Sequence, residues 1–153
     1  MFEQFIPFLA SFFATMGFAI LYNAPARTII PSGIAGMTGW FIFDYFLTFS
    51  ELGNFFASGI ASFGVAIICQ LLARQFRMPV IVFSIPGIIP LVPGGAAYTM
   101  MRALVEGNGE MALHFGTQTF LVSGAIALGL SLNSALFQII QPYFFYPRNN
   151  KRP

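Results

Sequence analysis

The chain has 153 residues, of which 8% are charged and 57% hydrophobic, with a formal net charge of +2. Soluble domains carry roughly 25% charged residues, and a fold this small has too little interior to hide so much apolar surface from water. An ordinary water-soluble domain is therefore excluded, and a balance of +2 is too weak to suggest a nucleic-acid partner.

Crossing the hydrocarbon core as a helix takes about 20 apolar residues. Gln4 to Tyr22 meets that need without a charge. The preceding Met1-Phe2-Glu3 lacks the basic start of a cleaved signal, so this first span is expected to stay in the mature protein. Asn23 to Arg27, with Pro25, ends it in a positive loop. Ile29 to Phe49 reads as a second span, interrupted only by Asp44, and an acidic turn at 50–54 follows. Phe55 to Ala73 is a third, closed by Arg74 and Arg77. Residues 78–105 form a fourth, broken by prolines, and Glu106 to Gly109 is a loop. Residues 111–140 form the fifth, trailed by aromatic Tyr143 to Tyr146 and the basic tail Arg148 to Arg152.

Basic loops stay on the cytoplasmic side. Arg27, Arg74 with Arg77, and the tail satisfy this rule together when the N-terminus is outside and five crossings are made. Four crossings would put the Arg74 loop and the tail on opposite sides. The expectation is one all-α membrane domain over 1–153, with no linker and no internal repeat. Many transporters pair two inverted halves around a midplane site. A five-helix chain without its own repeat is therefore expected to work as an oligomer.

The informative stretch is Ser84 to Gly95. Pro86, Pro90 and Pro93 fall within eight residues, and each lacks an amide donor and clashes with the preceding turn. Gly87, Gly94 and Gly95 open backbone shapes closed to other residues. Unwound backbone at membrane depth is tolerated where protein covers it or where it lines a watery path. Two readings follow: a kinked helix packed on its neighbours, or a transport site. Discontinuous helices favour the second, with the N-terminus of a helix starting near Ala96 offered to an anionic group such as a carboxylate.

Around the break, Tyr98 and Arg102 stand one turn apart. Arg102 fits either a bidentate clamp on a substrate carboxylate or an i, i+4 pair with Glu106. Asp44 fits either a proton relay, the usual use of a carboxylate inside a membrane, or the nearby interface. His114, the only histidine, is expected at the interface, since no second ligand stands near it. No cofactor or metal site is expected, and Cys69, the sole cysteine, reads as a small buried residue. Ser32-Gly36, Ala35-Gly39, Ser58-Ser62, Ala125-Gly129 and Ser131-Ala135 carry small residues at four-residue spacing, the means by which membrane helices approach closely. Asn133 and Gln138 read as interhelical glue, with the lining of a path as the other reading.

Ile85-Pro-Gly-Ile-Ile-Pro-Leu-Val-Pro-Gly94, with Ala97-Tyr-Thr-Met-Met101, resembles the threonine/serine exporter family. Gly17 to Pro25, and Ala73-Arg74 with Pro79 to Phe83, fit the same resemblance, which covers nearly the whole chain. It is closest to that family's C-terminal half, which occurs as a separate small protein in many bacteria. The resemblance implies secondary export of threonine and serine, or of a dicarboxylate such as succinate, across the bacterial inner membrane. It also implies a larger membrane subunit matching the N-terminal half. Two other classes compete. An intramembrane enzyme would have only Ser84 and His114 to work with, and no orienting acid at a motif distance. A membrane scaffold without a solute path would leave the broken span without a use.

Overall fold

The computed structural model describes residues 2–49 and 53–145, with side chains over 5–48 and 53–139. The Glu51 turn, Tyr146 and the Arg148 to Arg152 tail lie outside that range. The described residues form α1 (Phe2–Leu21), α2 (Ala26–Phe49), α3 (Asn54–Phe76), α4 (Ile81–Ile88) running into a 3₁₀ turn (Ile89–Leu91), α5 (Gly94–Val105) and α6 (Gly109–Phe145). The fold is all-helical, as expected. By length and composition α3 and α6 suffice alone to cross a membrane, and α4 with α5 make a third crossing if the bent pair counts as one. The apolar part of α1 is shorter, and α2, which carries Arg27, Asp44 and several Gly, Ser and Thr, is not among these helices.

Three helices end in the same way, because an αL residue lets the chain turn while the last carbonyls stay bonded. Asn23 (φ 56°), Arg77 (φ 52°) and Gly107 (φ 77°) are those residues. The next amide in each case reaches five residues back, from Ala24 to Ala19, Met78 to Ala73 and Asn108 to Ala103, at 2.9 Å. Glycine fits such a site without strain, whereas Arg77 occupies it as a non-glycine residue.

α2 lies between α1 and α3, and α4 packs on all three. α6 lies along α3, and among the other helices α5 packs chiefly on α6. The core joins Ala35, Ala61, Val65, Cys69, Phe83 and Leu91 with Val122 and Ile126 of α6. Gly87 shows why the sequence is small here. A Cβ at Gly87 would stand 3.4–3.5 Å from Val65, Ala35 and Cys69, so the glycine brings α4 close to α2 and α3. Of the small pairs, those from Ser32 to Gly39, Ser58-Ser62 and Ala125-Gly129 are buried, or nearly so, between helices. Ser131 and Ala135 face outward instead, because Gly129 and Asn133 take the inner face of α6.

Asn133 is 1% exposed, and neither its side-chain nitrogen nor its oxygen finds a partner among the described residues. It lies on α6 one turn beyond Gly129, along the face that packs on α3. The glue reading therefore lacks its hydrogen bond among the described residues. A buried amide without partners costs about 1–3 kcal/mol, and an apolar isostere avoids that cost. Asn133→Leu is expected to raise the unfolding free energy by about 1–2 kcal/mol, read as a higher midpoint of thermal unfolding in detergent. A fall of similar size would show that the amide is bonded in the intact assembly.

Candidate functional site

The break lies at Val92-Pro93, where α4 and α5 meet at 56°. Its cause is local. The ring of Pro93 disfavours the helical region for the residue before it, and Val92 is extended at φ −65°, ψ 130°. Pro93 itself turns the chain at φ −76°, ψ 54°. The other prolines act differently. Pro86 is accommodated inside α4, and Pro90 sits early in the 3₁₀ turn, a position that spares its missing amide. None of Gly87, Gly94 and Gly95 adopts a positive φ, and a Cβ at Gly94 or Gly95 would meet nothing within 4 Å. The expectation that these glycines supply special backbone shapes is thus corrected: the proline does the bending. α5 also begins at Gly94, two residues ahead of the expected start.

The bend changes which backbone groups are bonded. Pro93 has no N–H to offer the Pro90 carbonyl, and the Gly94 N–H turns back to the Val92 carbonyl at 2.7 Å. The Pro93 carbonyl accepts from Ala97 at 3.0 Å, and no side chain caps α5. The N–H groups of Gly95 and Ala96 are therefore the open donors of its first turn, at the positive end of the helix dipole.

A cavity of about 210 Å³ opens against this break. Pro90 to Pro93 and Ala96 form one wall. Trp40 and Phe43 of α2, Asn54 and Ser58 of α3, and Gln118 of α6 form the others, with Val122. Asn54 and Ser58 stand one turn apart, as do Gln118 and Val122, so each helix presents one face. The Ser58 hydroxyl donates to the Asn54 carbonyl at 2.6 Å, while the carboxamides of Asn54 and Gln118 make no hydrogen bond to a described residue. No charged side chain lines the cavity. At about 30 Å³ per water it has room for roughly seven water-sized units, the scale of a small metabolite.

Of the residues expected at the site, Pro90 and Pro93 line this cavity. Pro86 and Gly87 are buried in the helix packing before it, with Ser84 half-buried beside them. Gly94, Gly95 and Tyr98 are exposed on α5. Arg102 is exposed and bonded to Glu106 at 2.7 Å, about 12 Å along the axis from Gly94. Asp44 is exposed on α2, five residues before its end, and is not among the lining residues. Ser84 lies on α4 while His114 stands on α6 in a separate vestibule, and no hydrogen bond links them among the described residues. No group of three His, Cys, Asp or Glu among the described residues could hold a metal. Sequence reasoning missed Trp40, Asn54 and Gln118. The available signal was two carboxamides at the same end of neighbouring apolar helices, visible only once α3 and α6 are known to pack together.

An all-helical bundle of apolar helices with a broken span defines a helical membrane protein. Residues 7–136 match the family described as threonine/serine exporter, ThrE, and the chain belongs to that family. It is 28% identical over 129 residues to a threonine/serine exporter of Corynebacterium glutamicum, which covers 81% of this chain. The chain spans only 26% of that relative's length. No solved structure matches it.

Proposed function

We propose that this chain is the small subunit of a secondary exporter in the bacterial inner membrane, working with a larger membrane subunit to move a small polar metabolite out of the cytoplasm. The observation that carries the reading is the helix break opening on a mainly apolar cavity that holds three polar side chains, Asn54, Ser58 and Gln118, in a chain of this family. The reading takes five crossings with the N-terminus outside, and the packing supports one part of it, the return of the broken pair to the beginning of α3. α4 starts just after the end of α3, and α6 starts beside the beginning of α3, where Glu110 and His114 share a vestibule with Gly53 and Asn54. The broken pair thus runs the same distance as α3. At the other end, the Arg74 guanidinium lies 4.9 Å over the Phe137 ring, keeping the end of α6 with the basic end of α3.

The cavity favours a solute with one carboxylate and hydrogen-bonding groups, such as threonine or serine, over a dicarboxylate such as succinate. One helix N-terminus offers a single positive pole, and no cationic side chain stands opposite it to take a second charge. Efflux of preloaded threonine, serine and succinate, from cells expressing the chain alone and then with a candidate large subunit, tests the reading. Efflux of threonine and serine only with both subunits is the expected result. Absence of efflux from a verified, assembled pair would turn the reading towards a scaffold.

Two residues complete the proposal, each with its own test. Arg102 can clamp a carboxylate only after leaving Glu106, so Arg102→Ala separates its two roles: an assembled variant with preserved export ends the clamp. Asp44 is the candidate for proton coupling, and Asp44→Asn is expected to flatten the dependence of export on external pH. An unchanged rate and an unchanged pH profile would remove it from that role.

A further inference from the structure

The vestibule is a second, larger cavity of about 670 Å³ at the mouth of α3 and α6. Glu110, His114 and Thr117 line it, and the break cavity adjoins it. Three residues, Asn54, Gln118 and Val122, line both spaces. Their side chains stand on the boundary between the two cavities. Resting on the reading of the break as the solute site, we propose that Asn54 and Gln118, with Val122 as the apolar side, form a polar neck through which a solute passes between break and vestibule.

Each carboxamide offers two donors and one acceptor oxygen, and neither is committed to a described residue. A solute squeezed through the neck exchanges hydrogen bonds with water for hydrogen bonds with these groups. A net-apolar solute gains nothing there, and Val122, 7% exposed, keeps the passage narrow on its third side. The one charged side chain of the two linings, Glu110, stays on the vestibule side, so the neck selects by hydrogen bonding and size rather than by net charge. The arrangement joins residues 54 and 118, which lie far apart in sequence, through the packing of α3 on α6.

The test reads access and not transport. Ala96→Cys places a thiol in the break cavity, and His114→Cys places one in the vestibule. Cys69 is fully buried and gives a silent background. The full-length chain is labelled in right-side-out and inverted membrane vesicles with a membrane-impermeant maleimide. His114→Cys should label quickly from one face, and Ala96→Cys slowly from that same face. Adding Asn54→Ala or Gln118→Ala should slow Ala96→Cys labelling by this polar probe about fivefold, the effect of one lost net hydrogen bond in the neck, without changing His114→Cys. Equal rates at both positions in the unaltered neck would overturn the proposal, as would an Ala96→Cys rate that neither substitution moves. Labelling of Ala96→Cys only from the opposite face would overturn it too. A chain that exports nothing in the efflux assay can still show the neck, so the two failures are separable.

Discussion

Replacing Pro93 with Ala is expected to straighten the break and abolish most export while the protein still inserts and assembles. The reasoning rests on Val92, which is extended because the next residue is a proline. Alanine at 93 frees Val92 to be helical and restores an N–H that can reach back one turn. A proline inside a helix costs about 3 kcal/mol, so its removal shifts the balance between bent and straight forms by about a hundredfold. A straight helix closes the wall formed by residues 90–93 and bonds the donors left open at Gly95 and Ala96. Export should fall by up to about the same hundredfold at equal membrane abundance, with slower amide exchange over residues 92–96. Gly94→Ala is the matched control, since its Cβ would meet nothing within 4 Å and its φ is ordinary. Export near the unaltered level in Pro93→Ala would show that packing on α6 holds the bend and that the proline does not.

Much of this was legible in the sequence. The helices fall close to the expected segments, because long apolar runs satisfy their own backbone groups best as helix. The break was legible too, because three prolines in eight residues leave a gap in donors wherever they fall. Its position within the stretch was not. Pro86 and Pro93 look alike in sequence, yet one is absorbed in α4 and the other turns the chain, since only the second stands where packing passes from α1–α3 to α6. The same limit explains the site. Arg102 and Asp44 attract notice as charges in an apolar chain, whereas the polar groups of the cavity are the neutral Asn54, Ser58 and Gln118. Their significance depends on α3 lying against α6, a long-range contact that no local pattern encodes.

That contact is set by Gly129, and Gly129→Ala is expected to lower stability by about 1–3 kcal/mol. A Cβ at Gly129 would stand 2.5 Å from the Gly59 carbonyl oxygen and 3.1 Å from the Phe63 nitrogen, and would press on the Ser62 hydroxyl. Two of these are backbone atoms of α3, so no rotamer change relieves the overlap and the helices must part. Helix propensity works against this, since alanine is favoured over glycine by about 1 kcal/mol in a helix interior. The steric cost wins because rigid backbone cannot move aside as a flexible side chain can. Gly124→Ala isolates the propensity effect on the same helix, where a Cβ would meet nothing within 4 Å. Thermal unfolding in detergent should move down for Gly129→Ala and slightly up for Gly124→Ala. Parting α3 from α6 also separates Asn54 and Ser58 from Gln118 and Val122, which face each other across the break cavity. Export in Gly129→Ala should therefore fall further than its folded fraction does. Export that tracks the folded fraction alone would mean that the α3–α6 distance serves stability and not the path.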